Sequence, residues 1–361
     1  MSLEKFLESR SNRTGYKEKQ DPDIVDLDFN LMKQDYELGV QRGEETGVGE
    51  MNENFSWMRG HQNCWTGWAN SGKTTFLNFM MLMKSIKDGW KWVIWSPEMQ
   101  KANFIEGKVK THFNAIAYEL MSTITGKTPY KHVSEKYNVG LLTLDQIQFL
   151  KEWIEKHFVF LDPEQRDIKY VIDMHQRIYD KIGFDGFVLD PYKNIKAEIG
   201  KRDDQHLSDV FSKIQQASVR TNSVFNWIAH PKSGNNRTVD VNGQLEAAPC
   251  TQSMLSGGAA WDNSMDGIYS ILRPHAVEVL TDNRVRFYNL KQRMQELTAQ
   301  RGTVEDITFD IKTRRYLFNG RDPLTYLKID GENISIDNPD DREYTVWDKA
   351  QDWEDQISPG F

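Results

Sequence analysis

From residue 63 onward, short apolar runs rich in Val, Ile, Phe and Trp alternate with longer stretches whose apolar residues recur at helical spacing. The runs at 64–66, 92–95, 158–161, 187–189, 224–229, 268–272, 285–290 and 307–309 read as β-strands. Residues 74–87 closed by Gly89, 164–181 closed by Gly183, and 207–221 read as helices between them. Strands apolar on both faces and separated by amphipathic helices predict an α/β fold, a mostly parallel twisted sheet flanked by helices. The preceding residues, 1–50, are polar, with one helical pattern at Ile24, Leu27 and Leu31 and breaks at Gly39, Gly43, Gly47 and Gly49. They read as a short N-terminal arm or linker with a docking helix. Residues 51–320 read as the folded domain and 321–361 as an acidic C-terminal tail.

Composition narrows this picture. A chain of 361 residues with 39% hydrophobic and 12% aromatic residues, 11 of them Trp, is too apolar to stay unfolded. Its longest greasy stretch, 76–83, is interrupted by Asn78 and closed by Lys84, well short of a membrane span, and the N-terminus lacks a secretory h-region. Cys64 and Cys250 alone cannot form a disulfide framework, so the expected compartment is cytoplasmic, the host cytoplasm if the chain is phage-encoded. The net charge of −8 argues against a globally basic nucleic-acid coat but allows a local basic channel.

One motif carries definite chemistry. Gly67-Trp68-Ala69-Asn70-Ser71-Gly72-Lys73-Thr74, followed by Thr75, matches G-x-x-x-x-G-K-[ST] between an expected strand and an expected helix. Gly67 and Gly72 let backbone N–H groups turn inward around phosphate at a helix N-terminus, together with Asn70 and Ser71. Lys73 reaches the β- and γ-phosphates, and Thr74 offers a hydroxyl to Mg²⁺. Cofactors are therefore expected to be ATP and Mg²⁺. A second Mg²⁺ ligand is expected at the end of another strand, and Phe187-Val188-Leu189-Asp190 supplies it about 115 residues downstream. Without the P-loop, Asp190 would read as a strand-end cap. Glu98, in Trp95-Ser96-Pro97-Glu98-Met99, ends a strand directly after the P-loop helix and can take the proton of an attacking water. Read alone, it is a surface Glu opening a helix. His230, in Ala229-His230-Pro231-Lys232, can donate to a γ-phosphate oxygen, although a single strand-end His is more often structural.

In this order the segments resemble the RecA-like P-loop ATPase core of hexameric replicative DNA helicases, the DnaB and Twinkle group of superfamily four. Ser96-Pro97-Glu98-Met99 resembles that family's catalytic-Glu segment, and His230-Pro231-Lys232 resembles the Twinkle-like third motif. The stretch from Gly257 to Asp266 looks like the Gly-Ser-x-x-x-x-Gln-x-Ala-Asp stretch, and Lys291-Gln292-Arg293 followed by Arg301-Gly302 resembles the Lys-x-Arg motif and its hairpin. The resemblance covers residues 40 to 320. It departs at Pro97, at Pro191 and at the Gln missing after Trp261. It implies that Arg293 is a finger on the neighbouring subunit's ATP, with Lys291 beside it. From sequence alone these two read as a solvated strand-end pair. It also implies that DNA is held by Lys193, Lys201, Arg202, Lys232 and Arg237, with Gly257 and Gly258 admitting phosphate, whereas composition alone leaves each as surface charge.

The expected function is thus an ATP-driven, ring-forming helicase, an ATP hydrolase coupled to DNA unwinding, that encircles single-stranded DNA at the replication fork, with 5′-to-3′ polarity implied by the resemblance. Its compact form suits a phage or mobile-element protein. The expected partners are further copies in a hexamer and, where needed, a separate primase, loader or single-stranded-DNA-binding protein, with no membrane. Two other readings stay open: a recombinase-like filament ATPase and a non-unwinding regulatory replication ATPase.

Overall fold

A computed structural model describes residues 28–40, 42–96, 103–105, 108–110, 113–161, 168–192, 203–232, 238–241, 243–275, 282–326, 328–329 and 332–333. The chain divides into two units, Met1–Gln41 and Arg42–Phe361. In the first, helix α1 (Phe29–Leu38) starts at Asp28, whose carboxylate accepts from the N–H groups of Asn30 and Leu31 at 2.8 and 3.2 Å. It buries none of its residues. In the second unit, Thr46, Val48 and Met51 are already buried, and the Glu44–Trp57 bridge ties this lead-in to the core.

In chain order the second unit contains β1 (Gln62–Thr66), α2 (Lys73–Asp88), β2 (Trp92–Trp95), the β3 (Asn103–Ile105) and β4 (Lys108–Lys110) pair, and helices α3 (Phe113–Thr125), α4 (Lys131–Tyr137) and α5 (Leu144–His157). Then follow β5 (Phe158–Leu161), α6 (Ile168–Ile182), β6 (Gly186–Leu189), α7 (Asp203–Thr221), β7 (Val224–Ile228), and the β8 (Thr238–Val241) and β9 (Gln244–Ala247) hairpin. The rest is α8 (Gly258–Ser264), β10 (Gly267–Leu272), β11 (Arg284–Gln292), β12 (Gly302–Asp310), β13 (Arg315–Phe318) and the short pair β14 (Lys328–Ile329) and β15 (Glu332–Asn333).

Nine strands form one sheet in the order β13-β12-β11-β10-β1-β7-β6-β2-β5. The six from β10 to β5 are parallel, and β11, β12 and β13 extend the sheet antiparallel. Every residue of β1, β2, β6, β7 and β10 is buried, because helices cover both faces. One face packs Trp65, Tyr269 and Phe287 against α2, α3 and α5. The other packs Cys64, Phe187, Phe225 and Trp227 against α6, α7 and α8. Helix α2 lies under the sheet with most of its residues buried, Asn78 and Lys84 included. Lys84 keeps its charge satisfied there through Glu44 at 3.0 Å and Asp88 at 2.6 Å. No helix among the described residues is long and apolar enough to cross a membrane.

The eight expected strands are all present, with β7 one residue shorter than expected, β11 three residues longer and β12 six residues longer. The block α3–α5 between β2 and β5 was not expected, and neither were β13 and the smaller paired strands. Helix α5 carries its own start signal, a capping box in which Thr143 and Gln146 exchange side-chain and backbone bonds at 3.0 and 3.2 Å.

Candidate active site

The parallel strands end along one edge of the sheet, where the P-loop, Asp190 and His230 lie. β1 leaves the sheet at Gly67, where a Cβ would lie 2.4 Å from the Ile271 carbonyl oxygen and 2.5 Å from Ser71 Oγ. Asn70 and Gly72 then take left-handed backbone, with φ of 61° and 82°, and Gly72 caps α2. This loop therefore closes over the N-terminus of a helix, with its unpaired N–H groups at hand for an anion. Lys73 is buried, and its ammonium curls back to donate to the Trp68 carbonyl at 3.5 Å. Thr74 Oγ1 donates to Asp190 Oδ2 at 3.0 Å. Asp190 is itself buried beyond the end of β6, with its N–H donating to the Trp95 carbonyl at 3.0 Å. A hydroxyl from the first turn of α2 and a carboxylate from the end of β6 form an oxygen donor set that suits Mg²⁺, a hard cation needing few protein ligands.

The flanking strands complete the edge. Register pairs Trp95 with Leu189 and Trp65 with Ile228, so Ser96 and His230 follow their strands on the same side as the P-loop. His230 is half-buried. Glu98 lies outside the described residues, as do Lys193, Lys201, Arg202 and Arg237. Lys232 is exposed, and its N–H donates to the Met254 carbonyl at 2.9 Å. Gly257 and Gly258 start α8, and their small size is used internally: a Cβ would meet Leu207 Cδ1 at 2.2 Å and the Gln252 carbonyl oxygen at 2.7 Å respectively.

Lys291 and Arg293 sit elsewhere. β11 runs antiparallel to β10, pairing Leu272 with Arg286 at the P-loop edge and Gly267 with Gln292 at the opposite edge. That length of strand spans about 17 Å, more than an Arg side chain can cross. Arg293 pairs with Asp266 at 3.2 Å, its guanidinium also donates to the Asn263 carbonyl, and Lys291 donates to the Asp262 carbonyl. Burial and the neighbouring Arg293 hold the Lys291 pKa below the usual lysine range, against the pull of Asp262 and Asp266.

Sequence reasoning missed a cavity of about 350 Å³ on the other side of the P-loop. Asn70, Ser71, Gly72 and Thr75 form one wall, and Arg273, Phe309, Arg314 and Tyr316 contribute to the others. Phe309 and Tyr316 lie on β12 and β13, Arg273 just after β10 and Arg314 in the β12–β13 turn, all 200 or more residues along the chain and in no motif, so only the sheet order could have revealed them.

No protein-family model matches the chain. A solved structure of a single ATPase domain superimposes with a TM-score of 0.63 and 13% identity, covering 81% of this chain and 99% of that one. A DnaB-like replicative helicase, solved in a study of its interactions with primase, superimposes with a TM-score of 0.57 and 13% identity, over 87% of this chain and 70% of that one. In sequence, the Twinkle homolog protein, chloroplastic/mitochondrial, of Arabidopsis thaliana is 23% identical over 199 residues. The chain has the RecA-like fold of DnaB-like helicase ATPase domains. This RecA-like core matches 54% of its own length to the Arabidopsis relative but spans only 26% of that protein. In its frame, the P-loop, Thr74 and Asp190 line one edge of the sheet, and Lys291 and Arg293 lie on the other.

Proposed function

We propose that the chain is an ATP-driven DNA helicase that assembles as a hexameric ring around single-stranded DNA and unwinds duplex at the replication fork. The observation that carries this reading is the placement of the P-loop and Arg293 at opposite edges of one sheet. An arginine finger that cannot reach its own nucleotide serves a neighbour's, which demands a heterologous contact between copies, closed into a ring when the rotation closes. Helix α1 adds support: Phe29, Leu31, Tyr36 and Leu38 are all exposed, an apolar set that a neighbouring copy would cover.

In this reading the N–H groups of the Gly67–Gly72 loop bind the phosphates of ATP, and Lys73 neutralises their charge. Thr74 and Asp190 hold Mg²⁺, which supplies charge neutralisation for phosphoryl transfer. Glu98 accepts the proton of the attacking water, and His230 donates to a γ-phosphate oxygen. Lys291 and Arg293 stabilise developing charge on the adjoining subunit's nucleotide. Lys193, Lys201, Arg202, Lys232 and Arg237 would contact DNA phosphates, with Gly257 and Gly258 admitting the backbone. A primase, loader or single-stranded-DNA-binding protein would be supplied separately.

The test is a forked duplex with a single-stranded tail, combined with electron microscopy in an ATP analogue. Closed rings and ATP-dependent strand release are expected. Open filaments without strand release would favour a recombinase-like protein, and hydrolysis with neither would favour a regulatory ATPase.

A further inference from the structure

Arg293 leaves the end of β11 with its backbone fixed on both sides. Its N–H donates to the Asp266 carbonyl at 2.8 Å, and its own carbonyl accepts from Thr298 Oγ1 at 3.0 Å and Gln292 Nε2 at 3.3 Å. The next residue, Met294, takes left-handed backbone at φ 53° with its side chain exposed. A non-glycine residue stays in that region only where its surroundings over-determine it. The guanidinium is held as well. Nη1 pairs with Asp266 Oδ1 at 3.2 Å, and Nη2 donates to the Asn263 carbonyl in the last turn of α8, where the helix end favours a cation. A guanidinium carries five N–H donors in a rigid fork, so contacts along one side leave donors for a phosphate on the other. The Arg293 side chain is 45% exposed.

Asp266 is the hub of this arrangement. It is buried between α8 and β10, and its carboxylate oxygens divide their work: Oδ1 faces Arg293, while Oδ2 accepts the Gln62 N–H at 2.9 Å. Its own N–H donates to the Gln62 carbonyl at 2.9 Å, which ties it to the first residue of β1. Holding the start of β1 needs only a neutral acceptor. Burying a carboxylate costs desolvation that an opposite charge must offset, and of its hydrogen-bond partners among the described residues only Arg293 is charged. The negative charge of Asp266 is therefore matched to the Arg293 fork.

We propose that Asp266 is a positioning residue for the arginine finger, its carboxylate fixing one side of the Arg293 fork so that the other side meets a neighbouring copy's nucleotide already oriented. This rests on the reading of Arg293 as a finger acting between copies. A group oriented before the transition state needs no reorganisation when charge develops on the phosphate.

The experiment is steady-state ATP hydrolysis by the full chain with Mg²⁺ and single-stranded DNA, together with binding of a fluorescent N-methylanthraniloyl ATP analogue, for wild type, Lys73→Ala, Arg293→Ala, Asp266→Asn and the Asp266→Asn/Arg293→Ala double variant. Asp266→Asn is nearly isosteric, and its amide oxygen can still accept the Gln62 N–H. It is expected to lower kcat about tenfold, against on the order of 10³ for loss of the finger itself, with KM and analogue Kd within about twofold of wild type. The double variant should be no slower than Arg293→Ala, because Asp266 acts through Arg293. Mixing Asp266→Asn with an equal amount of Lys73→Ala supplies intact fingers to about half of the intact P-loops, so turnover per Asp266→Asn subunit should rise about fivefold. A carboxylate that merely supports β1 and the P-loop of its own subunit would not be rescued by a neighbour's finger, so absence of that rise overturns the proposal. Unchanged kcat in Asp266→Asn, weakened analogue binding in that variant, or losses that multiply in the double variant would overturn it too. The Lys73→Ala and Arg293→Ala mixture separates the two levels. If it recovers no hydrolysis, the finger reading itself fails. If it recovers hydrolysis and the Asp266→Asn mixture does not, only this inference fails.

Discussion

At the scale of single residues, the P-loop is demanding because its backbone is. Gly67→Ala would drive a Cβ to 2.4 Å from the Ile271 carbonyl oxygen, so the variant is expected to lose on the order of 2 kcal/mol of stability. A urea melt checks this. Lys73→Ala and Glu98→Gln should both abolish most hydrolysis but differ in binding. Loss of the Lys73 ammonium should weaken ATP-analogue binding, whereas Glu98→Gln should leave binding intact and slow turnover by about 100-fold or more. Turnover and Kd measured on the same preparations separate the two. The residues legible in the sequence are those whose chemistry is local. Gly67, Gly72, Lys73 and Thr74 occupy one short loop, and Asp190 announces itself as the carboxylate closing an apolar run. Arg273, Phe309, Arg314 and Tyr316 were illegible because each is an ordinary loop, strand or turn residue until the sheet order brings them beside the P-loop. Gly257 and Gly258 were legible as special positions, but what fixes them is contact with Leu207 and the Gln252 backbone.

At the scale of elements, strands buried on both faces were read directly, since a short unbroken apolar run bounded by turn residues suits a strand covered on both sides. The antiparallel extension was harder. β12 is exposed or half-buried at every position but Ile307, and only its last apolar residues, near Ile307 and Phe309, stood out from the sequence. The helical block α3–α5 was missed because the expected alternation of strand and helix left no place for three helices in one crossover. Helix α6 carries a testable pH dependence. His175 is buried against Phe184, Phe187 and Phe225, and burial, helped by Arg220, brings its pKa down to about 4. The unfolded chain takes up that proton near the ordinary histidine value of about 6.5. Its stabilising contribution is therefore complete above that pH and is lost as pH falls toward 4, by about 3 kcal/mol in total. Denaturant melts of wild type and His175→Gln between pH 7 and 4 should show a shallower decline in the variant. Parallel declines would show that another group sets the acid limit.

At the scale of the whole molecule, the proposed function requires contacts between copies and with DNA. If basic loops at the P-loop edge hold the strand, affinity for single-stranded DNA should fall steeply and log-linearly with salt as condensed counterions are released. A flat response in a filter-binding series would remove those loops from the account. The sequence after residue 336 holds eight acidic residues against Arg342 and Lys349 and lies outside the described residues. If this tail competes with DNA for the basic loops, truncation after Asn333 should raise affinity more at low salt than at high salt. Equal affinity at every salt concentration would exclude that competition. In the proposed ring Arg293 completes a site on another copy, because β11 runs about 17 Å from the P-loop edge of the sheet to the edge where Arg293 lies. Its most direct test is the ATPase rate of Lys73→Ala mixed in equal amounts with Arg293→Ala in the presence of single-stranded DNA. Each variant alone should be nearly inactive. The mixture should recover hydrolysis, since about a quarter of the interfaces in randomly mixed rings pair an intact P-loop with an intact finger. No recovery, or wild-type turnover by a monomeric Arg293→Ala chain, would contradict it.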